Sequence, residues 1–193
     1  MNLYNEGFYN VVPILDNKSE YYALDEMLEN PAVPMKLGIR IAAEEEPKFD
    51  FYTSRLGIRY NDILSFYEEQ IKPNKKFTFK MLHFFINTGI RDTAYYWNEL
   101  SKCLNVYCDL KRVCPELDSL NIGGGFPSKT SLASNFDYEY MAEEILAQIK
   151  NICTNRGVME PNIFTEFGSF TVGESGAILY SILDQKQQND RGS

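Results

Sequence analysis

A single histidine, His83, occurs in the 193 residues, which excludes any metal site built on several histidines and leaves a Ser-His-Asp hydrolase wholly dependent on this residue. The four cysteines, Cys103, Cys108, Cys114 and Cys153, form no C-x-x-C pair, and three of them fall in one helical segment. Neither a zinc site nor a disulfide framework is indicated, so reduced, packed thiols are expected. Basic clusters are also scarce: none exceeds the Lys75-Lys76 pair, and a net charge of −8 with a pI of about 4.8 would repel a phosphate backbone. Nucleic acid is therefore not an expected partner. No run approaches the roughly 18 apolar residues of a membrane span, and the start MNLYNEGFYN lacks the basic-then-apolar layout of a signal peptide. A cytoplasmic protein without membrane contact is the expectation.

With 44% hydrophobic residues the chain can bury one sizeable core, and its length favours a single domain, here residues 1–183 followed by a polar, frayed tail over 184–193. Short apolar runs alternate with longer stretches of helical period. Strands are predicted at Val11 to Leu15, Met35 to Ala42, Phe77 to Phe85, Ser119 to Ile122 and Ile163 to Glu166. Helices are predicted at about Ser19 to Glu29, Asn61 to Gln70, Thr93 to Cys114 and Tyr138 to Arg156, with capping candidates in Asp16 to Ser19 and in Asp92-Thr93. The order predicts an α/β fold of parallel βα units, and ligands of such folds gather at the carboxyl ends of the strands.

The residues at those ends carry the chemistry. Gly123, Gly124 and Gly125 follow the fourth strand, where backbone N–H groups without side chains can approach a phosphate; a plain tight turn is the equal alternative. Glu166 closes the fifth strand beside Gly168 and either pairs with a protonated ring nitrogen or is a solvated surface acid. Arg40 ends the second strand among apolar residues and needs an anion, from a ligand or from one of Glu44, Glu45 and Glu46. His83 and Phe85 alternate on the third strand and so share a face, whereas Tyr95-Tyr96-Trp97 reads most simply as core packing.

Taken in order, Gly38-Ile-Arg-Ile-Ala42, Ser54-Arg-Leu-Gly-Ile-Arg59, Leu82-His-Phe-Phe-Ile-Asn-Thr-Gly-Ile90, Leu120-Asn-Ile-Gly-Gly-Gly-Phe-Pro127 and Thr165-Glu-Phe-Gly-Ser169 resemble successive motifs of one family. It is that of the pyridoxal-phosphate-dependent ornithine, arginine and diaminopimelate decarboxylases, whose barrel is of the alanine-racemase type. The resemblance spans about residues 10 to 183, and Val11 to Glu20 resembles the arginine branch. It implies an incomplete TIM-type barrel of about five or six strands, since roughly 250 residues usually make eight.

Carried over, the resemblance gives Gly123, Gly124 and Gly125 to the phosphate of pyridoxal 5'-phosphate, Glu166 to its pyridine nitrogen and Arg40 to the neighbourhood of the ring. Phe85 stands where the family stacks a histidine, Thr88 where it has a phosphate-binding serine, and Ser169, after Gly168, where it has an arginine. No lysine occupies the context of the family's Schiff-base lysine, and its C-terminal β-sandwich is not seen. The resemblance thus implies a decarboxylase fragment, inactive alone, that in the intact enzyme takes a basic amino acid for polyamine biosynthesis. A non-catalytic cofactor-binding or interaction module is the alternative, and an unrelated phosphate-binding barrel explains only the glycines. An unclosed sheet leaves edge groups unpaired, so the chain should dimerise edge to edge, recruit its own flanking segments as strands, or aggregate; a homo-oligomer such as a dimer is the expectation.

Overall fold

A computed structural model of the chain describes residues 4, 6–28, 30–43, 56–86, 89–127, 136–173, 175–176, 179 and 181. Six strands form one parallel sheet: β1 (Ile14–Leu15), β2 (Met35–Ala42), β3 (Ile58–Arg59), β4 (Phe77–His83), β5 (Ser119–Asn121) and β6 (Asn162–Phe164). Their order is β1-β2-β4-β5-β6, with β3 pairing β2 beyond the stretch that β1 occupies. Among the described residues β1 and β6 do not pair, so the sheet is not closed into a barrel.

Alternation along β2 explains its placement. Met35, Leu37, Ile39 and Ile41 are all buried on one face, while Lys36, Gly38 and Arg40 point to the other. Phe77, Phe79 and Leu82 of β4 and Leu120 of β5 extend the same core. The helices that cover it are α1 (Lys18–Met27), α2 (Tyr60–Phe66, continued by a π-helical turn at Tyr67–Ile71), α3 (Ala94–Val113) and α4 (Tyr138–Arg156), with a short α5 (Gly168–Val172) after β6. Asn17 caps α1 in a reciprocal box with Glu20, Thr93 caps α3 and Asp137 caps α4. Helix α4 buries Met141, Ile145, Ile149 and Cys153, four residues apart each time, so a single stripe faces α3 and the core. Its last turn ends at Gly157 in the left-handed conformation.

Several expectations are corrected here. The first strand shrinks to two residues, the third ends at His83 rather than Phe85, and the helix expected over Asn61 to Gln70 turns π-helical from Tyr67. The two-residue β3 was not foreseen. None of the helices among the described residues is long and apolar enough to cross a membrane.

Pairing registers place Arg40 beside His83, His83 beside Asn121 and Asn121 beside Phe164, a row of four across neighbouring strands at their carboxyl ends. In-register neighbours of a parallel sheet point to the same side. The row therefore rims the face turned away from the helices, where an open cavity of about 610 Å³ is lined by Ile14, Lys36, Met81, Asn121, Phe164 and Glu166, among others.

Candidate functional site

At the carboxyl end of β5 the chain turns through Gly123, Gly124 and Gly125. Gly123 has φ of 68°, and a Cβ there would come within 2.8 Å of the Phe84 carbonyl oxygen. A Cβ on Gly124 would lie 2.5 Å from the carbonyl oxygen of Glu166. The turn can run this close to its neighbours only because it carries no side chains. The Gly123 N–H donates to Asn121 Oδ1 at 2.8 Å, and the Gly125 carbonyl accepts from the Ile90 N–H at 3.0 Å. Among the described residues the N–H groups of Gly124 and Gly125 make no hydrogen bond, so two donors are left for a ligand.

Glu166 follows β6 on the neighbouring strand. Its backbone N–H donates to the Gly123 carbonyl at 2.8 Å, which sets the acid directly beside the glycine turn. The carboxylate is 56% exposed, and its Oε1 accepts from Asn121 Nδ2 at 2.8 Å. His83 Nε2 lies 3.8 Å from the same oxygen and, though buried, has no hydrogen-bond partner among the described residues. Burial pushes the His83 imidazole below its usual range; the Glu166 carboxylate opposes that shift and the Arg40 guanidinium adds to it.

Arg40 finds its anion in Asp16, at 3.4 Å from Nη1 to Oδ1, just past β1. Glu44, Glu45 and Glu46 lie outside the described residues. The guanidinium also sits 5.5 Å from the centroid of the Phe85 ring, which in turn packs against Gly123. An aromatic group thus occupies the space between the arginine and the glycine turn.

Of the residues singled out from sequence, Arg40, His83, Phe85, Gly123, Gly124, Gly125 and Glu166 come together at this rim. Gly168 and Ser169 open α5 on the exposed side of Glu166, where a Cβ on Gly168 would meet open space, and Thr88 lies outside the described residues. Two contributors were missed. Asn121 bonds both the turn and the acid, and Phe126 stacks on Phe167 at 4.3 Å, fastening the glycine turn to the segment after Glu166. Both lie within the motif Leu120 to Pro127, but the sequence marks no role for either.

Chemically, the two free amides suit an anion, and the exposed acid beside them suits a protonated nitrogen a few ångströms away. Residues 9–173 match the family described as pyridoxal-dependent decarboxylase, pyridoxal binding domain. A biosynthetic arginine decarboxylase of a Geobacter species is 26% identical over 192 residues, covering 93% of this chain and 30% of the relative. That of Geotalea uraniireducens is 30% identical over 143 residues, covering 70% of this chain and 22% of the relative. The chain thus spans less than a third of the length of these relatives. In fold it is similar to the biosynthetic arginine decarboxylase of Campylobacter jejuni, with a TM-score of 0.63, 21% identity and coverage of 88% of this chain and 30% of that one. The diaminopimelate decarboxylase of Helicobacter pylori complexed with L-lysine gives a TM-score of 0.67 at 16% identity, covering 84% of this chain and 41% of that one. With the match running through β1, the glycine turn and Glu166, the chain belongs to the pyridoxal-dependent decarboxylase family and carries its pyridoxal binding domain.

Proposed function

We propose that this domain supplies the cofactor-binding half of a pyridoxal-phosphate-dependent decarboxylase of the arginine type, acting on a basic amino acid in polyamine biosynthesis as a homo-oligomer in the cytoplasm. One observation carries the reading: the glycine turn with two unused amides and the Glu166 carboxylate are hydrogen-bonded neighbours on adjacent strands. These groups, two amide donors and one carboxylate acceptor, fit the two polar ends of pyridoxal 5'-phosphate. Gly124 and Gly125 would hold its phosphate through backbone N–H groups, and Glu166 would hold a proton on its ring nitrogen. When bound, the cofactor is the electron sink for the charge left at the α-carbon as carbon dioxide departs. Phe85, with the Arg40 guanidinium 5.5 Å from its ring centroid, would flank the cofactor with an apolar face.

Ser169 and Phe85, where the family has an arginine and a histidine, favour a second reading, a non-catalytic module that binds the cofactor or a partner. Without the arginine, the phosphate loses a bidentate cationic contact.

Two measurements decide. Nuclear magnetic resonance of the ¹⁵N-labelled chain titrated with pyridoxal 5'-phosphate should shift the Gly124 and Gly125 amides, and pyridoxal without its phosphate should not. In the protein as it occurs, carbon dioxide release from carboxyl-labelled arginine, ornithine and lysine should favour arginine, and Glu166→Gln should lower kcat roughly 100-fold or more. Amide shifts without turnover in a protein that also carries the Schiff-base lysine would establish the non-catalytic module, whereas unmoved glycine amides would reject cofactor binding at this turn.

A further inference from the structure

Asn121 stands at the centre of the rim row, between His83 and Phe164, and is 9% exposed. Its side chain has two unlike ends, and both are used. The carbonyl oxygen accepts from the Gly123 N–H and the amide nitrogen donates to Glu166 Oε1, each at 2.8 Å.

That double bond pattern has a direction. A backbone N–H can only donate, so the Asn121 oxygen must face Gly123 and the NH₂ must face Glu166. Glu166 Oε1 is then compelled to accept. An O–H on that oxygen would set donor against donor at the buried amide of Asn121. Gly123 cannot yield either, because its backbone runs against Phe84 and Phe85 and its φ is positive. Among the described residues the groups facing this carboxylate are Asn121 from β5 and His83 from β4; the charges of Arg40 on β2 and Asp16 after β1 act on His83.

We infer that Asn121 is a positioning residue that fastens Glu166 to the glycine turn and keeps its inner oxygen an acceptor, so that both ends of the site hold one fixed spacing. The consequence for a bound cofactor rests on the reading above. The fastening itself belongs to the cofactor-free chain and can be tested there.

Three variants separate the two bonds. Asn121→Asp keeps an acceptor for Gly123 but turns a carboxylate on Glu166; the Gly123 amide should stay protected from hydrogen exchange while the Glu166 carboxyl ¹³C signal moves to that of a solvated acid. Asn121→Leu removes both bonds, and Gly123 should exchange about tenfold faster or more. The pair Asn121→Asp with Glu166→Gln reverses the polarity of the second bond, and should recover the melting temperature lost by Asn121→Asp alone. A residue that merely filled space would show no such rescue. Should Asn121→Leu fail to fold, the Asp variant and the reversed pair still decide.

An unchanged Glu166 carboxyl signal in Asn121→Asp, or a reversed pair whose loss of stability is the sum of its two single changes, would overturn the inference. Titration with pyridoxal 5'-phosphate then separates the two levels. Rescue in the cofactor-free chain with no glycine amide shift on titration would uphold the role of Asn121 and defeat the cofactor reading; with both intact, Asn121→Asp should weaken cofactor binding about tenfold.

Discussion

At the scale of single residues, the rim is most sensitive where a group has no room or no partner. Gly124 has no room: an added methyl would meet the Glu166 carbonyl oxygen, part of the backbone and unable to swing aside. Gly124→Ala should therefore cost about 1–3 kcal/mol in urea denaturation and weaken pyridoxal 5'-phosphate at least tenfold, because the displaced backbone includes the amide that would hold the phosphate. His83 Nε2 has no hydrogen-bond partner among the described residues. Its folded pKa lies below the ordinary 6.5 because burial disfavours the imidazolium, so the unfolded chain binds more protons as the solution becomes acid. The stability owed to neutral His83 is complete above the unfolded value and is lost as pH falls through 6.5 towards the folded one. Thermal midpoints measured from about pH 8 down to 5.5 should accordingly fall more steeply for the wild type than for His83→Gln, with the two curves diverging below pH 6.5. Parallel curves would mean that Glu166, 3.8 Å away, compensates the proton fully.

Elements show why some of the structure was legible from sequence and some was not. Strand β2 and helix α4 run over the residues expected of them, because each carries its own full periodic signal: a two-residue alternation in Met35–Ala42, a four-residue stripe with a cap and a terminal glycine in Tyr138–Arg156. Strand β3 has only Ile58 and Arg59, too short for any period, and exists because Ile41 and Ala42 offer a free edge. The π-helical turn at Tyr67–Ile71 likewise has no local mark; Tyr67 is placed by its hydroxyl reaching the Val113 carbonyl at the end of α3. In the site, the glycines and Glu166 stood out by residue type and strand-end position. Asn121 did not, since its importance lies in a bond to a residue 45 positions further on. Caps were readable because they act locally. Thr93→Ala should remove the acceptor for the Tyr96 N–H and cost about 1 kcal/mol by chemical denaturation, as N-cap losses typically do. Since α3 carries Tyr96, Leu100 and Leu104 into the core, that loss should appear in the whole transition rather than as fraying.

Across the whole molecule the cysteines report how the layers hold together. Cys103 and Cys108 lie on α3, Cys114 at its end and Cys153 on α4, and all four are buried and free. They fall within one continuous core that joins α3 and α4 to Leu82 and Leu120 of the sheet. Burial pushes the Cys153 thiol up to about 12, with Cys108 adding to the effect, and raises the other three as well. Only a thiolate attacks a disulfide reagent, so in the folded state these groups lack both ionisation and access. Reaction with an aromatic disulfide near pH 8 must then wait for the core to open. The expected result is a single slow phase in which all four thiols react together, roughly a thousandfold or more slower than in denaturant. A distinct faster phase for Cys153, identified with Cys153→Ser, would mean that α4 lifts from the sheet by itself. Helix α4 leads directly into β6 and so to Glu166, and such lifting would release the acid from the glycine turn without unfolding the strands that carry Arg40 and His83.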